Sequence, residues 1–184
     1  MDLLWPDLDA KVAASNLRQA LHVARRIFGS QSPATASRYL ERRGELLELC
    51  PGGQLWVNVE AFEEATVAAR RARDPGSYQA ALDLYAGALL PEDLYEGWTV
   101  ERREELRRSY LGLLVELARA HESRNEHGPA IEAFQRLAAA EPAAEEAHAG
   151  LIRLYALSGQ RGEALRQYER LREVLQWELG ARRR

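Results

Sequence analysis

Cysteine is almost missing from this chain: Cys50 stands alone among 184 residues. One thiol closes no internal disulfide, and no second Cys or gathered His set gives it a metal-ligand spacing, so a disulfide-stapled scaffold is excluded and a reducing compartment is expected. Long apolar runs are missing too. No stretch approaches the roughly 18 residues that span a bilayer, and the first ten residues carry acids where a secretory leader carries bases. A cytoplasmic chain with no membrane partner follows as the expectation. Neither a Gly-x-x-x-x-Gly-Lys-Ser/Thr loop nor a Gly-x-Gly-x-x-Gly turn is present to cradle nucleotide phosphates. The four histidines, His22, His121, His127 and His148, fall at no spacing that gathers a metal. No cofactor and no metal is therefore implied. The paired carboxylates Glu63 with Glu64, Glu104 with Glu105 and Glu145 with Glu146 lie on amphipathic stretches among arginines, the pattern of solvated helix surfaces, and no clustered acid, base or nucleophile marks an enzyme.

What is present is a chain able to bury a core, 46% hydrophobic and close to neutral at a net charge of -3. That average hides an asymmetry. Across residues 10–44 the bases Lys11, Arg18, Arg25, Arg26, Arg38, Arg42 and Arg43 face the single acid Glu41, a local charge of +6, so the remainder carries -9. Positive charge gathered on one segment is what holds polyanions by phosphate neutralisation, whereas an acidic body suits a different task. Two jobs are predicted for two regions.

The first region reads as a helix over residues 11–28, free of Gly and Pro, with an apolar stripe of Leu17, Leu21, Ala24 and Phe28 that Ala13 and Ala14 extend. Its other side carries Ser15, Arg18, Gln19, His22, Arg25 and Arg26. Gly29 is the expected stop, residues 30–37 have loop composition, and residues 38–49 read as two short strands around Gly44. After the turn at Pro51-Gly52-Gly53, residues 55–59 form a short extended segment with Asn58 as the expected cap of the next helix. The boundary falls there, giving regions 1–59 and 60–180.

From residue 60 the chain reads as helical throughout, interrupted at Asp74-Pro75-Gly76, Pro91-Glu92-Asp93, residues 125–128, Glu141-Pro142 and Ser158-Gly159. Self-comparison reveals a repeat: His121 and Tyr155, Gly128 and Gly162, Ala130 and Ala164, Phe134 and Tyr168, and Leu137 and Leu171 are each offset by 34 residues, the tetratricopeptide period. A small residue at the helix contact with an aromatic one turn later forms a socket and a knob, and each helix pair covers its apolar face by stacking on a neighbour. Residues 78–90 repeat the pattern with Ala81 and Tyr85, displaced by an insertion over residues 91–99. Three helix pairs are expected, about 60–90, 100–140 and 144–177. Tyr85, Tyr110, Phe134, Tyr155 and Tyr168 are assigned to packing, and Trp98 is expected to plug the gap between pairs. The fold class is mainly α: a tetratricopeptide-like array of helical hairpins preceded by a partial winged helix with a short β-hairpin.

Leu4-Trp5-Pro6-Asp7, Asn16-Leu17-Arg18-Gln19-Ala20-Leu21, Arg38-Tyr39-Leu40, and Leu55-Trp56-Val57-Asn58-Val59-Glu60-Ala61-Phe62-Glu63 occur in this order. Leu89-Leu90-Pro91, Tyr95-Glu96-Gly97-Trp98 and Glu163-Ala164-Leu165-Arg166-Gln167-Tyr168-Glu169 follow, before Glu178-Leu179-Gly180. The series resembles the bacterial transcriptional activator domain family of Streptomyces antibiotic regulatory protein type regulators. The resemblance implies an OmpR-type winged helix at the N-terminal end, with residues 11–28 as recognition helix and residues 38–49 as wing. Arg18, Gln19, His22, Arg25 and Arg26 would then face DNA, with Arg42 and Arg43 at the wing tip. Arg and Gln suit such a place because both make bidentate hydrogen bonds to base edges.

The resemblance implies a transcription activator that binds double-stranded promoter DNA through the basic helix and contacts RNA polymerase or another protein through the helical region. A complete winged helix also has a small sheet and a further helix before the recognition helix, for which the residues ahead of Lys11 leave no room. The stripe Leu17, Leu21, Ala24 and Phe28 is therefore expected to find cover on the helical region or on a second copy of the chain as a homodimer. The alternative function is a tetratricopeptide-type interaction scaffold that does not bind DNA.

Overall fold

A computed structural model describes residues 5, 7–28, 39–43, 46–51, 56–93 and 97–181. The chain divides into two compact units, residues 1–57 and 58–184. Among the described residues there are seven α-helices and one two-stranded sheet, and no helix is long and apolar enough to cross a membrane.

The first unit holds helix α1 (Ala10–Phe28) and the hairpin β1 (Leu40–Arg43) and β2 (Leu46–Leu49). α1 starts where Asp9 supplies a cap: its carboxylate accepts the Lys11 N–H at 2.9 Å, and its carbonyl accepts the Ala13 N–H at 2.9 Å. The strands are antiparallel, pairing Leu40 with Leu49 and Arg43 with Leu46. The Cys50 N–H donates to the Tyr39 carbonyl at 2.9 Å and closes the open end of the ladder. The stop at Gly29, the loop at 30–37, Arg38, the Gly44 turn and Gly52-Gly53 lie outside the described residues.

The second unit is a run of helix pairs: α2 (Asn58–Ala72) with α3 (Pro75–Asp83), α4 (Gly97–Ser123) with α5 (His127–Ala140), and α6 (Glu145–Leu157) with α7 (Arg161–Ala181). Asn58 is the first helical residue rather than a cap, and with Val59 it belongs to α2, so the extended segment expected to run to residue 59 stops by Val57. α3 begins on Asp74, whose carboxylate accepts both the Ser77 N–H at 3.0 Å and the Ser77 hydroxyl at 2.6 Å, with Pro75 where its missing N–H costs nothing. These bonds to Ser77 hold the Asp74 carboxyl below its ordinary value. The chain is expected to stay helical from the break at 74–76 to the one at 91–93, but α3 ends at Asp83. Gly87 and Leu90 adopt positive φ, 123° and 47°, conformations a helix cannot contain. A 3-10 turn, Pro91–Asp93, follows.

The core of this unit runs through Phe62 and Ala69 of α2, Ala81 and Leu82 of α3, Leu113, Leu114 and Leu117 of α4, Ala130, Phe134 and Leu137 of α5, and Ala147, Leu151 and Leu154 of α6. Tyr85 lies past the end of α3 yet still packs, stacked on Tyr110 with ring centroids 4.3 Å apart and tilted against Phe62 at 5.4 Å. Burial raises its phenol above the usual tyrosine range. Trp98, expected to plug the gap between pairs, is only partly covered. Trp98 is 40% exposed, whereas Thr99 is wholly buried and its hydroxyl accepts from Arg103 at 2.9 Å. Tyr168 also departs from expectation. It is 55% exposed while its repeat partner Phe134 is 1% exposed, because no described helix lies over that face of α7.

Register between the helices is marked by arginine–glutamate pairs: Arg102 with Glu63 at 2.7 Å, Arg70 with Glu116 at 3.1 Å, Arg107 with Glu141 at 2.5 Å, Arg153 with Glu122 at 2.6 Å, and Arg119 with Glu146. Glu104 and Glu105 are engaged within α4 by Arg107 and Arg102. Of the carboxylates singled out in the sequence as surface groups, Glu63, Glu104, Glu105 and Glu146 are thus tied to guanidinium groups.

Candidate nucleic-acid interface

α1 contains Lys11, Arg18, Arg25 and Arg26 and no acid. At 3.6 residues per turn, Lys11, Arg18, His22 and Arg25 stack along one line, with Arg26 and Gln19 beside it. Arg18, Gln19, His22 and Arg26 are exposed and Arg25 is half-buried, while Ala13 is buried and Leu17, Leu21 and Ala24 are half-buried. The helix therefore separates a basic side from an apolar one, as the spacing predicted; the side chain of Phe28 lies outside the described residues.

None of the four cations of α1 enters an ion pair among the described residues. In the helical array, arginines 70, 102, 107, 119, 153 and 166 are each held by a glutamate, while others such as Arg161 and Arg172 enter no ion pair among the described residues. Uncompensated guanidinium groups in a row attract a polyanion without first breaking an internal contact. The two basic residues at the helix end, Arg25 and Arg26, also sit where the helix dipole favours cations. Their charge is thus tolerated by the helix as well as by solvent.

The basic line is bordered by apolar side chains that the spacing did not single out. Val12, Val23 and Ile27 are exposed, Ile27 at 67%. They follow Arg26 and Gln19 around the helix, so the face that presents hydrogen-bond donors also presents methyl groups, the pairing that reads both purine edges and the thymine methyl in a major groove. The signal was available: these three residues lie outside the stripe that runs through Leu17 and Leu21. Asp9, the cap that fixes where the helix starts, was legible in the same way, as an Asp directly ahead of the apolar period.

The hairpin is electrostatically different from α1. Glu41 and Glu48 stand directly opposite each other across the strands, a like-charge pair that destabilises a sheet unless something intervenes. Arg43 intervenes, with its guanidinium 3.1 Å from Glu48 and 3.6 Å from Glu41. It is exposed, but its charge is already matched by two carboxylates. Arg42 holds the β1 position opposite Leu47, and its side chain lies outside the described residues. Of the seven residues assigned to DNA contact, five therefore share one helix and two lie on the hairpin, where Arg43 is committed locally.

The family described as bacterial transcriptional activator domain matches residues 56–184, which takes in the whole helical array and none of α1 or the hairpin. No curated protein matches the chain.

Proposed function

The chain belongs to the bacterial transcriptional activator domain family, and from that premise we propose that it is a cytoplasmic transcription regulator of the activator type. It works without a cofactor and without enzymatic turnover. The basic face of α1, Arg18, Gln19, His22, Arg25 and Arg26, enters the major groove of promoter DNA, with Arg42 and Arg43 of the hairpin near the backbone. The tetratricopeptide-like array then offers the surface that meets RNA polymerase or another protein. The observation that carries the DNA half is the row of four cations, none in an ion pair among the described residues, on a helix without acids. Backbone contacts from such a row give affinity that falls steeply with salt, while base contacts by Arg and Gln give sequence preference.

The test is fluorescence anisotropy of duplex DNA across a salt series with the whole chain, comparing wild type with the double variant Arg25→Ala, Arg26→Ala. Salt-sensitive binding weakened in the variant supports the reading. The second reading, an interaction scaffold that does not hold DNA, draws on the hairpin, where Glu41 and Glu48 occupy Arg43. It predicts no duplex binding at any salt concentration together with saturable capture of a protein through the helical array.

A further inference from the structure

The 34-residue repeat sets two helices side by side for comparison. In α5 the face formed by His127, Ile131, Phe134 and Ala138 is half-buried or buried at every position, and α6 lies against it. The fit is close at the centre: a Cβ on Gly150 of α6 would come within 2.4 Å of the Phe134 ring. In α7 the equivalent face is Arg161, Leu165, Tyr168 and Arg172, and all four are exposed. Leu165 stands at 65%. The knob is present, but the helix that would receive it is not among the described residues.

The changes between the two faces are directional. The central pair stays apolar and aromatic, Ile131 and Phe134 becoming Leu165 and Tyr168, while both ends become arginine. Neither Arg161 nor Arg172 enters an ion pair or side-chain hydrogen bond among the described residues, although Arg166, on another side of the same helix, is paired with Glu163. α6 follows α5 through the turn at 141–144 and so runs antiparallel to it, its acidic first turn of Glu145 and Glu146 near the end of α5. A helix seated on α7 in the same way brings its own first turn to Arg172 and its C-terminal carbonyls to Arg161. Acids in a helix first turn and a cation at a helix C-terminus both complement the macrodipole. The precedent of α6 on α5 therefore sets the direction of the occupant, and an arginine at each end of the face suits an acidic first turn at one end and C-terminal carbonyls at the other.

We propose that the outer face of α7 is a docking site for one amphipathic helix of a partner protein, antiparallel to α7, with a Gly or Ala over Tyr168 and carboxylates in its first turn against Arg172. Arg161 to Arg172 spans roughly 16 Å at 1.5 Å per residue, three turns of a partner helix. Tyr168 and Leu165 supply the apolar contact, and the arginines select an acidic-headed helix over a neutral or basic one. The assignment stands apart from DNA binding by α1, since its residues lie on a different unit.

A probe of the right chemistry can be taken from the chain itself: a fluorescein-labelled peptide of residues 145–157, Glu-Glu-Ala-His-Ala-Gly-Leu-Ile-Arg-Leu-Tyr-Ala-Leu, held helical by an i,i+4 lactam on its outward side. Titrated against the whole chain, it is expected to bind saturably, to weaken about tenfold with Arg172→Glu and with Tyr168→Ala, and to lose its sensitivity to Arg172→Glu when its two glutamates are replaced by glutamine. Both chain variants alter exposed side chains, and circular dichroism checks that they fold. No saturation, or equal affinity for wild type and both variants, overturns the proposal. A dimer in sedimentation equilibrium that the same variants dissolve gives the face to a second copy and overturns it as well.

Discussion

Replacing Gly150 by alanine adds one methyl group where the Phe134 ring already sits. The new carbon would lie 2.4, 2.6 and 2.7 Å from three ring carbons, against an optimum of roughly 3.5–4.0 Å. The ring is 1% exposed, so it has no solvent side to swing into, and a close-packed interior transmits the displacement instead of absorbing it. Overpacking of this kind costs about 1–3 kcal/mol. Alanine gains about 1 kcal/mol over glycine in a helix interior, and three simultaneous overlaps place the steric term toward the top of its range, so the net expectation is a loss of about 1–2 kcal/mol. At a urea slope of about 2 kcal/mol per molar, the middle of the usual range, the midpoint of the array's transition, followed by far-UV circular dichroism, moves down by about 0.5–1 M. Gly162→Ala is the control, because its Cβ meets only the end of Arg166 at 3.6 Å, and its midpoint is expected to hold or rise. Adding Phe134→Leu to Gly150→Ala should recover part of the loss, since the two changes relieve each other. A Gly150→Ala protein as stable as wild type, or strict additivity in the double variant, would refute the socket argument.

Further outcomes follow from the polar core and the caps. His148 is buried, its Nε2–H donating to the Pro142 carbonyl at 2.9 Å, so its Nδ1 accepts from the Gln167 amide at 2.6 Å; His148→Ala strands both partners and should cost about 2–3 kcal/mol. A double-mutant cycle with Gln167→Ala should return a coupling of about 1 kcal/mol, and a coupling of zero would show that the bond contributes nothing. Because the folded Asp74 carboxyl titrates below its unfolded value, its stabilisation is full above the unfolded value and disappears as pH falls through the folded one. The gap in thermal midpoint between wild type and Asp74→Ala should therefore shrink as pH falls through and below the ordinary aspartate range, and a gap that widens on acidification contradicts the assignment. At the hairpin, Glu48→Gln frees Arg43 from one carboxylate and should strengthen duplex binding while steepening its salt dependence by up to about one phosphate contact.

The helical pairs were legible because their signals are local and repeated. Pro75, Asn125, Pro142 and Gly159 punctuate the chain, and the spacing of Ala130 and Phe134 recurs at Ala164 and Tyr168. Burial was less legible. A period states which residues share a face but not whether a neighbour covers that face, which is why Tyr168 reads like Phe134 in sequence yet lies in solvent. Trp98 is less covered than its size suggested, while the adjacent Thr99 is fully buried with its hydroxyl accepting from Arg103. The basic side of α1 was readable from charge and period, while the pairing of Arg43 with Glu41 and Glu48 required the strand register. The socket at Gly150 left no signal in a single sequence, since a helical glycine looks like a weakness until the ring facing it is seen.

The most direct test of the central claim is the salt dependence of duplex DNA binding by the whole chain. If Lys11, Arg18, Arg25 and Arg26 all neutralise phosphates, log K should fall with log salt at a slope of about -3.6, and each of them replaced by alanine should reduce that slope by about 0.9. Sequence preference should weaken most where a removed arginine reads a base edge. Binding that is absent, or that does not change with salt or with these substitutions, would contradict the account and leave the helical array as the seat of function.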